Sequence, residues 1–151
     1  MKPRIAALIG TLALFSATQA VAEATPINVQ KTNGCGCCLA WMEHLKANGF
    51  APTGEDVNGG LLIRYKMENG VPQNMMSCHT AMVDGYIIEG HVPAADIRRI
   101  LQDRPDAVGL AVPDMPLGSP GMDQGRRADA YDVFLLKEDG STNVFASYPG
   151  N

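Results

Sequence analysis

Residues 80–105, TAMVDGYIIEGHVPAADIRRILQDRP, form the most legible stretch of the 151-residue chain. Two apolar runs, TAMV (80–83) and YIIEG (86–90), are joined by Asp84-Gly85, a dipeptide suited to the two central positions of a tight hairpin. The segment that follows sets Pro93 in a first helical turn and Ile97, Ile100 and Leu101 at helical spacing, before Pro105 stops the pattern. The stretch predicts a β-hairpin followed by a helix.

Working toward the N-terminus, INVQK (27–31) predicts a strand and Cys37 to Asn48 a helix, because Cys38, Trp41, Met42 and Leu45 fall on one face at spacings of three and four. Asn48-Gly49 is a helix stop. Residues 51–57 predict a second strand, and GLLIRYKMENG (60–70) a short second helix. The order strand, helix, strand, helix, hairpin, helix is that of an α/β (α+β) thioredoxin-like domain. Toward the C-terminus, residues 105–128 are rich in Pro and Gly, carry Met115 and Met122, and show no sustained period, so they predict one long loop. Two strand-like runs about Asp139-Gly140 predict a closing hairpin over 131–148. No internal repeat is present.

The chain begins Met-Lys-Pro-Arg, continues with the apolar run IAALIGTLALF (5–15) and then offers small residues in SATQAVAEA. That order of basic, apolar and small segments predicts a secretory signal peptide with cleavage after Ala20, Ala22 or Ala24. The apolar run is well short of the roughly 20 residues that span a bilayer. Taking 1–22 as the signal leaves one domain, 23–151. Removing Lys2 and Arg4 moves the formal charge from −4 to −6 and leaves no basic cluster, which argues against nucleic acid and against a membrane partner after cleavage.

Cys35, Cys37 and Cys38 stand within four positions, directly before a predicted helix. Export permits disulfides, but a staple stabilises mainly by closing a long loop, and these three close almost nothing among themselves. Thiols this crowded point to chemistry. Cys35 and Cys38 have C-x-x-C spacing at a helix start, where the helix N-terminus favours thiolate and a redox role. Cys37 is a third thiol that invites metal capture, and adjacent Cys37 and Cys38 suit bridging between neighbouring soft ions better than chelation of one. Cys78 precedes the third predicted strand, whose entering loop should meet the first helix and complete a set of four. Met75, Met76, His79 and His91 gather further soft or borderline donors, and the donor set favours Cu(I). Met42, Met82 and Trp41 read as core, and His44 as surface.

Three segments, CGCCLAWMEHLKANGF, SCHTAMVDGYIIEGHVPAADIRRIL and GLAVPDMPLGSPGM, together resemble the small exported copper-resistance proteins called CopG, over about Thr32 to Met122. The resemblance implies a thioredoxin-like domain of the Gram-negative periplasm. It also implies that the cysteines hold a multinuclear Cu(I) cluster and can be oxidised to disulfides. The family's C-x-C-C falls on Cys35, Cys37 and Cys38, its Ser-Cys-His on Ser77, Cys78 and His79, and its Gly-His on Gly90 and His91. Charge agrees with this, since four thiolates are neutralised by four Cu(I) but not by a single Zn²⁺. The expected function is a periplasmic Cu(I)-binding resistance protein coupling Cu(I)/Cu(II) to thiol/disulfide, with copper ions and periplasmic copper chaperones or efflux components as partners. His79, His91, Met75, Met76, Met115 and Met122 are candidate additional ligands or supports. A metal-free thiol–disulfide oxidoreductase and a passive copper metallochaperone are the alternatives.

Overall fold

The structure, a computed structural model, describes residues 23–123, 125 and 127–151; the expected signal peptide lies outside the described residues. Eleven short elements follow one another: β1 (Thr25–Lys31), α1 (Gly36–Ala47), β2 (Phe50–Asp56), α2 (Gly59–Glu68), a 3-10 turn (Gln73–Met75), β3 (His79–Val83), β4 (Tyr86–Glu89), α3 (Ala94–Asp103), β5 (Gly109–Ala111), β6 (Tyr131–Leu136) and β7 (Thr142–Tyr148). The hairpin turn between β3 and β4 has positive φ at both Asp84 (46°) and Gly85 (87°), the twist that lets two strands meet over two residues. Helix α2 is capped by the Asn58 side chain, which accepts from the Gly60 N–H at 2.9 Å.

All seven strands form one sheet in the order β2-β1-β3-β4-β5-β6-β7. β1 pairs parallel with β2 and antiparallel with β3, and β3 pairs antiparallel with β4. The expected α/β order of elements is present, and the C-terminal hairpin extends the same sheet.

One expectation is corrected. Residues 105–128 are not a single loop, because β5 lies inside them, parallel to β4 and antiparallel to β6. β5 has three residues, all buried, so it shows neither length nor alternation. Its consequence is large: it is the strand that joins the N-terminal half of the sheet to the C-terminal hairpin.

The pleat sends alternate side chains to two faces. Ile27, Val29, Ala81, Val83, Ile88 and Leu110 pack on one face with Trp41 and Leu45 of α1 and Ile97 and Ile100 of α3. On the other, Ile87, Ala111 and Leu136 pack with Val71 and Met75, which lie beyond the end of α2. Fully burying each of the Val, Leu, Ile and Met side chains among these contributes about 1.5–3 kcal/mol. The same alternation puts His79 beside Trp41 of α1 and turns Thr80 and Glu89 toward Lys66 of α2. The end of the sheet where β1 finishes and β3 begins, with Lys31 opposite His79, is therefore served from both faces.

Candidate metal centre

The first turn of α1 carries three of the four sulfurs. Cys35 is the N-cap residue, with extended backbone (φ −71°, ψ 91°), no side-chain cap bond and no acidic residue in the turn behind it. The positive end of the helix is thus left to the sulfurs. Cys35 and Cys38 are joined in a disulfide, with their Cα atoms 5.3 Å apart. The Cys37 thiol lies 3.5 Å from Cys35 Sγ. Cys78, arriving from the loop before β3, has its Sγ 3.8 Å from Cys37 Sγ and 3.8 Å from Cys38 Sγ. All four sulfurs lie within 4.8 Å of one another.

Two histidines wall this group. His91 has no exposed surface; its Nε2 is 3.2 Å from Cys78 Sγ and its Nδ1 is 2.8 Å from the Pro120 carbonyl oxygen. A carbonyl only accepts, so Nδ1 carries the proton and the Nε2 lone pair faces the sulfur. A ring fixed in this way by a backbone acceptor is the arrangement that orients imidazole toward a metal. His79 is also fully buried, with Nδ1 3.3 Å from Cys78 Sγ, its ring 4.3 Å from the Trp41 ring and 5.0 Å from that of His91. Its Nε2 is buried without a hydrogen-bond partner. Cys78, His79 and His91 form a second donor group within 4.8 Å that shares Cys78 with the first.

Burial sets the charge states. It pushes the Cys78 thiol up to about 12, with the neighbouring Cys37 adding to the shift. It also holds His79 well below the ordinary imidazole range, reinforced by His91 and by the Lys66 cation, and lowers His91. Both rings are neutral at pH 7, so their lone pairs are free to face sulfur or a soft cation. The wall favours neutral or charge-compensated species and disfavours a bare thiolate on Cys78.

The methionines are placed differently from one another. Met75 is buried and Met76 half-buried in the second apolar cluster, on the far face of the sheet. Met115 is half-exposed and lines a surface cavity with Pro113, Asp114, Pro116 and Tyr131. Met122 is half-buried beside the segment that touches the site. What that segment brings to α1 is backbone: the Pro120 carbonyl meets His91, and Gly121, at φ +84°, comes so close that a Cβ there would lie 2.6 Å from the Trp41 nitrogen and 2.8 Å from the Cys37 carbonyl oxygen.

Sequence reasoning missed four participants. The Pro120 carbonyl has no side-chain signature. His44, read as surface, is half-buried, and its Nε2 accepts the first helical N–H of α3, that of Ala94, at 3.2 Å. The pair Lys66–Glu89 is buried behind the site, and its one signal was an acidic residue ending an otherwise apolar strand, YIIE.

The fold and site together define an α/β protein whose helix N-terminus and adjoining strand loop present a compact centre of sulfur and imidazole, suited to soft-metal or thiol–disulfide chemistry. The chain belongs to the CopG copper-resistance family. Two solved structures described as copper resistance protein copG, in forms 1 and 2, match it with TM-scores of 0.78 each and sequence identities of 49% and 50%. They cover 85% and 84% of this chain and all of their own. A family model described as protein of unknown function, DUF411, matches residues 75–122, the span holding Cys78, His79, His91 and the 120–121 segment. No curated protein matches.

Proposed function

We propose that this chain is a periplasmic copper-resistance protein that binds several Cu(I) ions on Cys35, Cys37, Cys38 and Cys78 and couples copper redox to its thiols. The observation that carries the reading is the gathering of all four sulfurs within 4.8 Å in a chain about half identical to proteins described as copper resistance protein copG. Thiolate is the preferred ligand of Cu(I), and sulfurs at this spacing suit bridging between ions. His91, and His79 through its unpartnered Nε2, supply neutral nitrogen donors or supports at the buried side. Export by the 1–22 segment and hand-over to periplasmic chaperones or efflux components belong to the same reading. So does assigning the β1–α3 portion, with sheet order β2-β1-β3-β4, to the thioredoxin-like class.

The Cys35–Cys38 disulfide is what supports the redox half of the reading. Two Cu(I) ions give one electron each to the disulfide; the S–S bond breaks, two thiolates form and two Cu(II) ions result. In the reverse direction two Cu(II) ions take two electrons from the paired thiolates and the bond closes. The neutral histidines and the burial of Cys78 favour the charge-compensated, copper-loaded form.

Anaerobic titration of the reduced protein with Cu(I) against a chromophoric chelator is the test. More than one Cu(I) per chain is expected, with Zn²⁺ displaced. A stoichiometric Zn²⁺ site that Cu(I) fails to displace overturns the reading. Disulfide exchange that proceeds without copper in both the parent protein and Cys37→Ser, with no Cu(I) bound by either, supports the metal-free oxidoreductase that the disulfide alone would also suit.

A further inference from the structure

Behind Cys78, on the sheet face opposite α1, lies an ion pair that nothing in the copper chemistry requires. Lys66 and Glu89 are 2% and 0% exposed. Lys66 Nζ donates to Glu89 Oε1 at 2.5 Å and to Thr80 Oγ1 at 2.7 Å. The Thr80 hydroxyl donates in turn to Glu89 Oε2 at 2.5 Å. Glu89 Oε1 also accepts the backbone N–H of Ser77 at 2.6 Å. One carboxylate thus grips the chain at the residue before Cys78 and, through Thr80, at the residue two beyond it.

Neighbouring contacts complete the hold. Ser77 Oγ donates to the Asp114 carbonyl, and the Gly90 N–H donates to the His79 carbonyl at 3.0 Å. Gly90 (φ +70°) is so closely packed that a Cβ would lie 2.5 Å from the Val112 oxygen and 2.7 Å from Ser77 Cβ.

A buried ion pair is seldom a net source of stability, because desolvating two charges offsets their attraction, and apolar replacements of similar size are often neutral or stabilising. A carboxylate that accepts a buried N–H and a hydroxyl does, however, fix the donors' positions. We propose that Lys66–Glu89 is a positioning device for the fourth sulfur: Glu89 fixes the Ser77–Thr80 backbone so that Cys78 Sγ stays in register with the thiols of α1, and Lys66 is the counter-ion that lets the carboxylate sit inside the fold. The inference goes beyond the copper reading and rests on it only for its second readout.

Two double variants separate positioning from stability. Lys66→Met with Glu89→Leu removes the pair and the acceptor for Ser77 N–H while keeping the volume apolar. Lys66→Met with Glu89→Gln removes the charges but keeps an amide oxygen for the same N–H. The first readout needs no copper: the effective concentration of Cys78 toward the α1 thiols, measured in Cys35→Ser versions from the equilibrium of the Cys78 disulfide with Cys37 or Cys38 in glutathione buffer. The second is the rate at which Cu(I)-loaded protein surrenders copper to a chelator.

The Met/Leu variant is expected to melt at or above the parent temperature, yet show an effective concentration lower by about tenfold or more and a correspondingly faster copper loss, since misplacement on the scale of an ångström costs at least that much. The Met/Gln variant should stay close to the parent in both. A folded Met/Leu variant with parental effective concentration overturns the proposal, as does a Met/Gln variant that loses register as far as Met/Leu does. Thr80→Val, which removes only the hydroxyl bridge, should move the first readout the same way by a smaller factor. Should Met/Leu not fold, an unchanged value in Thr80→Val overturns the proposal. If the parent binds no Cu(I), the copper reading fails while the disulfide readout still decides this one.

Discussion

The two sides of the cysteine centre are built on opposite plans. On the α1 side, Cys35 and Cys37 are half-exposed, the helix has no side-chain cap, and the sulfurs are held mainly by the helix geometry and their own disulfide. On the β3–β4 side, His79, Thr80, Glu89 and His91 have no exposed surface, and Cys78 is framed by hydrogen bonds from both flanks. Of the α1 sulfurs, Cys38 is fully buried, while Cys35 and Cys37 reach solvent. The residues around Cys78 and the two rings sit where a displacement breaks several contacts at once.

Breaking the buried side should therefore be more damaging than altering the half-exposed one. Gly90→Ala is expected to have the largest effect: it places a methyl against the Val112 carbonyl and Ser77 Cβ at a left-handed φ. Overpacking and backbone strain each cost about 1–3 kcal/mol, so a loss of about 3 kcal/mol is expected in chemical unfolding of the apo protein. A loss below about 1 kcal/mol would mean that the β3–β4 wall relaxes easily and that the contrast between the two sides is overstated.

The next effect comes from pH. His79, His91 and His44 all have their affinity for protons lowered, by burial first, whereas in the unfolded chain imidazole titrates near 6.5. Below that value the unfolded chain takes up protons that the folded rings refuse. Their contribution to stability is complete above about pH 6.5 and is lost as pH falls through the interval beneath it. With two rings fully buried, a decline of about 2 kcal/mol between pH 6.5 and 5 is expected for the metal-free protein, read from urea midpoints. A flat profile would show that the rings accept protons in place. Cys37→Ser should leave the slope unaltered, because the partners of the Cys37 thiol are sulfurs and not the titrating rings.

Cys37→Ser also sharpens the comparison directly. Its sulfur is half-exposed and its contacts are to other sulfurs, so stability is expected to change by no more than about 0.5 kcal/mol. Copper stoichiometry under the same Cu(I) titration should fall. A large stability loss with full copper loading would place Cys37 among the structural groups instead.

The same contrast explains what was legible in the sequence. Crowded cysteines, the Asp84-Gly85 turn and the 3.6-residue period of α1 are local patterns, and each element they predicted is present within a residue or two. β5 was hidden because a fully buried three-residue strand carries no alternation, only GLA between prolines. Glu89, His44 and the Pro120 carbonyl were hidden for a further reason. Their roles depend on partners 12, 50 and 29 residues away, which only the folded sheet brings within reach. The donors nominated beside Cys78 separated: His79 opens β3 and turns toward α1, while Met75 and Met76 precede the strand and pack on the far face.

The smallest effect is expected from the methionines of the 113–122 segment. The segment lies over α1, but what touches the site is backbone, the Pro120 carbonyl on His91 and Gly121 against Cys37 and Trp41, whereas Met115 points into a surface cavity beside Tyr131. Shielding of the sulfurs should then depend on how the backbone seats and not on the Met115 thioether. Met115→Leu preserves size and apolarity and is expected to change both the apo melting temperature and the rate of Cu(I) transfer to a chelator by less than about twofold in the equivalent equilibrium or rate. Met122→Leu, nearer the contact, sets the upper end of that range. Gly121→Ala is the informative counterpart: a methyl between the Trp41 nitrogen and the Cys37 carbonyl must lift the segment, so copper transfer should accelerate well beyond either Leu variant. Should Met115→Leu instead speed transfer as much as Gly121→Ala does, the thioether swings onto the loaded site, and the segment belongs with the half-exposed side of the centre instead of the buried one.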